Sequence, residues 1–420
     1  MINYKGAKIN LLVVGLGKLG LPFCAVLAES GHQVFGVDKS VELVTSLKSK
    51  EFHSTEPKLM ELLERNSPNL VFSNNYDDFM ENIDIVFIIV PTPSDSTGRF
   101  SNSILVEALK EVVEKIRFKQ SNTVIDIVST VMPGTCDGII RDTIESVSGQ
   151  KLGSKISLCY NPEFIALGSV ISDMQYPDMH LLGCSNDWAG DLVQSVLSSM
   201  VLNSAPCKRL NLLEAELVKI SINNYVTMKI SFANSLMQLA ESLGNIDIDK
   251  VTLAIGMDSR IGSKYMKAAA PYGGPCFPRD TRAMNFLFNS AGIPWSLSST
   301  TENLNKNHVL FITQKIISLI PSGAKVGILG VSYKSGSSVT EESTGVLIAH
   351  ELIAKSVKVI TWDDENAEVP GYPGIKRELN EILNEANFFV ITRPLDGIAS
   401  IVQALGERGK EFIDIWRQVI

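Results

Sequence analysis

Short apolar runs alternate with amphipathic stretches along the first half of the chain. Six of these runs have the length and composition of strands, at residues 9–14, 33–37, 83–90, 123–128, 156–159 and 179–183. Strands that alternate with helical stretches are typical of parallel βαβ units. The runs at 83–90 and 123–128 show little polar alternation, as expected when helices cover both faces of a sheet. The pattern predicts a doubly wound parallel α/β sheet.

The pattern changes at Leu212, where one long helix with few breakers is predicted to run to about Leu243 and to end at Gly244-Asn245. Helical character continues to about Asn307. This segment is too long for a linker and too apolar to stand alone. We expect it to connect two lobes and to carry a dimer face.

Strand-like and helix-like segments alternate again after Pro321-Ser322-Gly323. This pattern predicts a second, smaller α/β domain. Its strands are expected at residues 325–329, 357–361, 388–392 and 412–415. Together these patterns predict three domains: an α/β domain over 1–204, a helical domain over 205–305 and a smaller α/β domain over 306–420.

Composition narrows the class of protein. The 420 residues are 45% hydrophobic, enough for a large core, and the net charge of -8 argues against a nucleic acid partner. The apolar runs fall short of the ~20 residues that span a bilayer, so no membrane association is expected. The first residues lack the apolar segment and cleavage site of a signal peptide, and we expect a cytoplasmic protein.

Cysteine and histidine spacing predicts neither a disulfide framework nor a metal site. The six cysteines contain no CxxC pair, and the five histidines form no HxxxH cluster. A single cysteine is usually a small buried apolar side chain. Cys276 differs, because it follows the glycine pair Gly273-Gly274 and precedes an acid, Asp280, by four positions.

A dinucleotide-binding motif opens the chain. Gly15, Gly17 and Gly20 form GxGxxG directly between a strand and a helix. The first glycine permits a tight turn, the second lets the backbone approach a pyrophosphate, and the third allows close packing of helix on strand. Asp38 ends the next strand, where its carboxylate can bind the adenosine ribose and favours NAD over NADP, although Lys39 weakens that preference. The motif predicts a Rossmann-type NAD-binding domain over 1–204.

Two further loops follow strands of this domain, at residues 90–93 and 129–135. Open parallel sheets bind ligands at the carboxyl ends of their strands, which is where both loops lie. Taken alone, each loop is more typical of a proline-containing turn than of a binding site. With the motif above, the predicted cofactor-binding residues are Gly15, Gly17, Lys18, Leu19, Gly20, Asp38, Pro91, Thr92, Ser129 and Thr130.

A thiol beside a hydride acceptor can support more than a two-electron oxidation. A cysteine thiolate can capture an aldehyde as a thiohemiacetal, and a second hydride transfer then gives a thioester that water cleaves to a carboxylate. Lys219 and Asn223 are spaced i, i+4 on the predicted long helix and share one face in a largely apolar region. They are candidates for a buried polar site rather than a solvated surface.

The chain resembles the nucleotide-sugar 6-dehydrogenase family over nearly its whole length. The most specific matches are the segment from Leu253 to Gly262 and the segment from Gly273 to Asp280. Asn161-Pro162-Glu163-Phe164, Ser129-Thr130 and the helix with Lys219 and Asn223 also match. The resemblance implies NAD-dependent four-electron oxidation of the C6 hydroxyl of a UDP-sugar, with UDP-glucose preferred, in polysaccharide biosynthesis. It also implies a homodimer and a C-terminal UDP-sugar-binding domain.

The resemblance also implies roles for individual residues. Cys276 is the expected nucleophile, and its pKa must fall from about 8.5 for it to react as a thiolate, with Lys219 as the cause. Asp280 handles protons for the attacking water, and Lys219 with Asn223 stabilises the oxyanion. Thr130 and Glu163 hold or activate water. The implied substrate-binding residues are Glu163, Phe164, Lys219, Asn223, Arg260, Gly273, Gly274, Cys276, Phe277 and Lys334, with Arg260 reaching the ligand across a dimer interface.

Two residues depart from the family pattern, and they leave open both the sugar that is oxidised and whether the protein is active. Leu167 stands where a second glutamate is common, and Glu341 stands where an arginine contacts the cofactor. The first favours the same chemistry on UDP-N-acetylmannosamine or UDP-N-acetylglucosamine. Both are compatible with an inactive nucleotide-sugar-binding protein. A β-hydroxyacid dehydrogenase is a further alternative, but it has no use for Cys276 or for a third domain.

Overall fold

The computed structural model describes residues 8–77, 79–367, 369, 371 and 378–418. The chain divides into two compact units at the boundary between Lys219 and Ile220. This boundary lies within a single long helix. The division neither supports nor contradicts the three predicted domains, which stay a prediction.

The first unit is built on an eight-stranded sheet with the order β3-β2-β1-β4-β5-β6-β7-β8. Its strands are β1 Asn10–Val14, β2 Gln33–Val37, β3 Leu70–Ser73, β4 Ile85–Ile88, β5 Thr123–Ile127, β6 Ile156–Tyr160, β7 His180–Cys184 and β8 Cys207–Leu210. The predicted doubly wound α/β fold is confirmed. All neighbouring strands are parallel except β6 and β7, which pair antiparallel.

Helices cover both faces of this sheet. They are α1 Gly20–Glu29, α2 Val41–Ser49, α3 Leu59–Arg65, α4 Ser103–Ile116, α5 Arg141–Ser148, α6 Val170–Gln175 and α7 Asp187–Met200. One apolar cluster packs α1 and α7 on one face, and a second packs α4 and α5 on the other. This arrangement explains why β4 and β5 are buried along their whole length.

The long helix α8, Leu212–Leu243, has the bounds that the sequence predicts. Its start is fixed by a reciprocal cap, in which the Asn211 side chain accepts from Glu214 N at 2.8 Å and Glu214 accepts from Asn211 N at 3.0 Å. Gly244 ends it with a φ of 70°, a left-handed conformation that glycine adopts without a Cβ penalty.

The second unit carries the remaining helices and a four-stranded parallel sheet with the order β10-β9-β11-β12. Its strands are β9 Lys325–Leu329, β10 Lys358–Trp362, β11 Phe388–Ile391 and β12 Glu411–Asp414. Its helices after α8 are α9 Ile248–Met257, α10 Phe277–Ser290, α11 Leu297–Leu319, α12 Thr344–Ala354, α13 Leu379–Glu385 and α14 Ile398–Glu407. None of the described helices is long and apolar enough to cross a bilayer.

The sequence pattern missed β3 and β8 and the antiparallel pairing of β7. Both missed strands are four residues long: β3 has only three apolar residues in a row, and β8 has two charged residues at its centre. The described sheet departs from the predicted parallel pairing between β6 and β7, where the chain passes through a loop and the short helix α6 and β7 returns in the opposite direction.

Candidate active site

The turn between β1 and α1 has the geometry that a nucleotide phosphate requires. Gly15 has a φ of 95°, and a Cβ placed on it lies 2.1 Å from the carbonyl oxygen of Ile89. A Cβ on Gly20 lies 1.8 Å from the carbonyl oxygen of Gly15. A Cβ on Gly17 meets nothing within 4 Å among the described residues. The protein itself therefore requires the first and third glycines, while the space at Gly17 fits a pyrophosphate.

Asp38 follows β2 and holds the same turn. One carboxylate oxygen accepts from Leu16 N at 2.7 Å, and the other accepts from Ser40 N at 2.8 Å. Each carboxylate oxygen can accept a second hydrogen bond. The carboxylate is half-buried and can bind ribose hydroxyls, as the cofactor prediction requires. Lys18 is exposed and Leu19 half-buried at the start of α1.

The two predicted loops after β4 and β5 are hydrogen-bonded to each other. Thr92 Oγ1 donates to the carbonyl oxygen of Thr130 at 2.7 Å. The Ser129 hydroxyl accepts from Val90 N at 2.9 Å and donates to the Val90 carbonyl oxygen at 2.7 Å. Pro91 lies exposed between these contacts. The structure therefore joins Thr92, Ser129 and Thr130 at the carboxyl edge of the sheet.

A buried glutamate that the sequence reasoning missed anchors the second of these loops. Glu216 on α8 accepts from Gly134 N at 2.6 Å and from Cys136 N at 2.7 Å. Burial raises the pKa of this carboxyl, and the two backbone donors act in the opposite direction. The sequence feature that could have identified Glu216 is an acidic residue within the apolar first turns of the helix, three residues before Lys219.

Lys219, Glu163 and Phe164 form a compact group in the first unit. The Lys219 ammonium donates to the backbone carbonyl of Glu163 at 2.5 Å and lies 4.2 Å from the centre of the Phe164 ring. Burial raises the pKa of Glu163 to about 7, against the opposing effects of Lys219 and of a hydrogen bond from Asn161. The Glu163 carboxyl can therefore gain and lose a proton near neutral pH.

In the second unit, Cys276 is exposed at the N-cap position of α10. The positive end of the helix dipole favours a thiolate there. Asp280 lies one turn further along and is completely buried. Its carboxylate accepts from the Asn223 amide at 2.6 Å and from Arg279 Nε at 3.0 Å. The structure thus brings the predicted residues Asn223 and Asp280 into direct contact and adds Arg279, which the sequence reasoning did not identify.

The glycine pair before Cys276 packs against backbone and ring atoms of the second unit. A Cβ on Gly273 lies 2.1 Å from the carbonyl oxygen of Glu342, and one on Gly274 lies 2.6 Å from Tyr333 Cδ2. Gly274 N also donates to the carbonyl oxygen of Glu341 at 3.1 Å. Lys334, half-buried beside Tyr333, has its ammonium 5.9 Å from that ring's centre. Phe277 packs edge-on against Tyr265.

The remaining predicted residue is Arg260, in the second unit. Its side chain is exposed and pairs with Asp258, two residues earlier, at 2.6 Å. Of the two departures, Leu167 packs against the apolar cluster around α1, and Glu341 contributes its backbone carbonyl to Gly274.

Known proteins match this chain along most of its length. Residues 9–201 match the NAD binding domain, and residues 213–307 the central domain, of the UDP-glucose/GDP-mannose dehydrogenase family. A UDP-glucose 6-dehydrogenase from Haloferax volcanii is 29% identical over 363 residues, which is 84% of this chain and 83% of that protein. A GDP-mannose 6-dehydrogenase from Pseudomonas aeruginosa is 28% identical over 415 residues, 97% of this chain and 93% of that one.

A solved structure is also similar to this chain. The UDP-glucose dehydrogenase from the hyperthermophilic archaeon Pyrobaculum islandicum superimposes with a TM-score of 0.87 at 29% identity, covering 99% of this chain and 96% of that chain. The two domain matches together span more than half of the 420 residues, and they include the turn at Gly15 to Gly20 and the group around Cys276. The chain belongs to the UDP-glucose/GDP-mannose dehydrogenase family, and its first domain binds NAD.

Proposed function

We propose that this protein oxidises the C6 hydroxyl of UDP-glucose to the carboxylate with two molecules of NAD. The observation that carries the proposal is the exposed Cys276 thiol at the N-terminus of α10, one turn from the buried Asp280. A two-electron alcohol dehydrogenase has no need of a nucleophile. The family relatives named as UDP-glucose 6-dehydrogenases support the choice of sugar.

The reaction at Cys276 has two parts, capture of the aldehyde by the thiol and release of the acid by hydrolysis of the thioester. NAD, when bound, accepts one hydride from the alcohol and one from the thiohemiacetal. The Cys276 sulfur forms a bond to the aldehyde carbon, and the carbonyl oxygen takes up a proton. After the second oxidation, water attacks the thioester carbon, the carbon–sulfur bond breaks, and the thiol is regenerated beside a carboxylate.

We assign the supporting roles to the residues that the family resemblance implies. The Lys219 ammonium and the Asn223 amide stabilise the oxyanions of the tetrahedral species. Asp280 accepts the proton of the attacking water, and Glu163 and Thr130 hold or activate that water. The nucleotide sugar is bound by Lys334, Arg260, Gly273 and Gly274. The pKa of about 7 at Glu163 supports a proton-transfer role.

A second candidate substrate is favoured by Leu167. A half-buried apolar side chain that packs against the cluster around α1 replaces a common family glutamate at this position, which removes a charge beside the predicted substrate segment. The same oxidation of UDP-N-acetylglucosamine or UDP-N-acetylmannosamine is therefore the alternative.

The NADH yield per sugar tests the proposal and distinguishes the substrates. Purified protein with excess NAD is given each of the three nucleotide sugars separately. Two NADH per molecule of UDP-glucose is the expected result, whereas two NADH only from an N-acetylated sugar supports the alternative. One NADH per sugar, or undiminished acid formation by Cys276→Ser, excludes the thioester mechanism.

We also propose that the protein is a homodimer and works in the cytoplasm. Tyr225, Phe232 and Leu239 are exposed on α8 at seven-residue spacing, so they form one apolar stripe. The six cysteines are free, as is usual in a reducing compartment. Light scattering should give a dimer mass for the wild type and a monomer for Phe232→Glu. Phe118→Glu, at an exposed phenylalanine that is not part of α8, is the matched control and should stay dimeric.

A further inference from the structure

The antiparallel pairing of β6 and β7 brings two cysteines together that the proposed reaction does not use. Cys159 on β6 lies directly opposite Cys184 on β7. Cys159 is completely buried, and Cys184 is half-buried. The Cys184 thiol donates a long hydrogen bond of 3.8 Å to the carbonyl oxygen of Leu182. No local sequence pattern predicts this pair, because a loop and the helix α6 separate the two positions.

The register makes this pair suitable for a covalent bond. Ser185 N donates to the carbonyl oxygen of Leu158 at 2.9 Å, so Leu158 and Ser185 are a hydrogen-bonded pair. The next pair along, Cys159 and Cys184, is then of the non-hydrogen-bonded kind, whose Cα atoms lie about 4.5 Å apart with both side chains on one face. Disulfides span Cα separations of about 4.4–6.8 Å.

The surroundings of the two sulfurs differ, and the difference indicates which sulfur attacks an oxidant first. A Cβ placed on Gly190 lies 2.8 Å from Cys184 Sγ and 3.4 Å from the Arg209 guanidinium carbon, so both groups border the same small space. The neighbouring Cys159 thiol and the nearby Arg209 lower the pKa of Cys184, against burial and the charges of Asp187 and Asp191. Burial raises the pKa of Cys159.

We propose that Cys184 and Cys159 form a peroxide-oxidisable thiol pair, with Cys184 as the attacking sulfur and Cys159 as the resolving one. The Cys184 thiolate attacks hydrogen peroxide, the O–O bond breaks, hydroxide leaves, and Cys184 becomes a sulfenic acid. The Cys159 sulfur then attacks the Cys184 sulfur, and water leaves with the thiol proton. Two thiols and one peroxide give one disulfide and two waters, with the sulfurs oxidised and the peroxide reduced.

A third cysteine nearby supplies the matched control. Cys207 on β8 is half-buried like Cys184, but it pairs in register with His180, four residues earlier on β7. At about 3.3 Å per residue this places it roughly 13 Å from Cys184 along the strands, beyond the reach of a disulfide. Burial raises the pKa of Cys207 to about 11, so it should not react as a thiolate at neutral pH.

The test is a peptide map of the full-length protein after a few equivalents of hydrogen peroxide and alkylation under denaturing conditions. Cleavage after Lys155 and Glu163 and before Asp187 and Asp191 places Cys159, Cys184 and Cys207 on separate peptides. The expected product is a disulfide-linked species containing the Cys159 and Cys184 peptides, which dithiothreitol returns to two free thiols. It should persist in Cys207→Ser and disappear in Cys184→Ser.

A second variant tests the order of the two steps. In Cys159→Ala the proposal predicts a sulfenic acid at Cys184 that dimedone traps, because no resolving thiol is present. Full alkylation of both cysteines in peroxide-treated wild type would overturn the proposal. So would a linked species containing Cys207, or oxidation of Cys184 in the wild type that stops short of the disulfide.

Discussion

The Asn223 amide donates a hydrogen bond of 2.6 Å to the Asp280 carboxylate, across 57 residues of sequence. Arg279 donates to the other carboxylate oxygen at 3.0 Å, and Asp280 is completely buried. The acid is therefore held in one orientation by two donors, one turn from the Cys276 thiol. The same bond fixes the orientation of the Asn223 amide, whose second N–H is the one available to a ligand.

Asp280→Asn should slow the release step more than the capture step. If Asp280 accepts the proton of the attacking water, its loss lowers thioester hydrolysis by about 10²–10⁴-fold. A covalent adduct with the mass of the acyl sugar nucleotide should then accumulate, and intact-mass spectrometry after mixing with UDP-glucose and NAD detects it. The adduct also reports that the variant is folded. Hydrolysis at the wild-type rate would remove Asp280 from the mechanism.

Glu163 should set an ascending limb in the pH dependence of the reaction. Its pKa of about 7 means that the carboxylate, the form that accepts a proton, increases as pH rises through 7. We expect kcat/KM to rise with a midpoint near that value, since this parameter reports the free enzyme. Glu163→Gln should lose this limb. A wild-type profile that is flat between pH 6 and 8 would contradict the assignment.

Glu216→Gln should loosen the loop that carries Thr130. Gln offers one acceptor oxygen where Glu216 offers two, so the N–H of the exposed Gly134 or of the buried Cys136 loses its partner. The cost of one unsatisfied buried group is about 1–3 kcal/mol in the free energy of unfolding. Urea unfolding measures this loss, and the KM for NAD should rise with it. Glu107→Gln on the exposed surface of α4 is the control, and an equal effect there would contradict the role of Glu216.

Gly17 and Gly20 should respond differently to alanine. A Cβ at position 17 meets no described atom within 4 Å, so Gly17→Ala should unfold at the wild-type temperature while its affinity for NAD falls. A Cβ at position 20 lies 1.8 Å from a backbone oxygen, so Gly20→Ala should lower the unfolding temperature itself. Thermal unfolding with and without NAD separates the two outcomes. Normal NAD binding by Gly17→Ala would argue against the pyrophosphate site.

Asp126 should make the protein less stable as pH rises. It lies on β5, neither of its carboxyl oxygens has a hydrogen-bond partner among the described residues, and burial raises its pKa well above the usual range. The folded state therefore retains the proton that the unfolded chain loses near pH 4, and stability falls from there up to the folded pKa.

The Asp126→Asn side chain cannot ionise, so the stability of this variant should not fall with rising pH in the way described for Asp126. Relative to wild type, the variant should gain stability between pH 5 and pH 8, as measured by urea unfolding at both values. A constant difference between the two proteins across this range would show that Asp126 does not titrate with folding.

Local patterns in the sequence were sufficient for much of the fold and part of the site. The apolar runs gave ten of the twelve strands that the structure describes, and the break at Gly244 marked the end of α8. The GxGxxG motif and the segment around Cys276 were recognisable because a turn, a close backbone approach and a nucleophile each constrain neighbouring residues. These features depend on steric and periodic rules that act over a few positions.

The tertiary structure alone decided which distant residues meet. The Asn223 to Asp280 bond, the Glu216 anchor of the loop after β5, and the packing of Tyr333 on Gly274 each join positions more than 50 residues apart. The reversal of β7, which places Cys184 opposite Cys159, is of the same kind. Strand pairing and the burial of polar groups are settled by the competition of many contacts in the folded core, and no single segment carries that information.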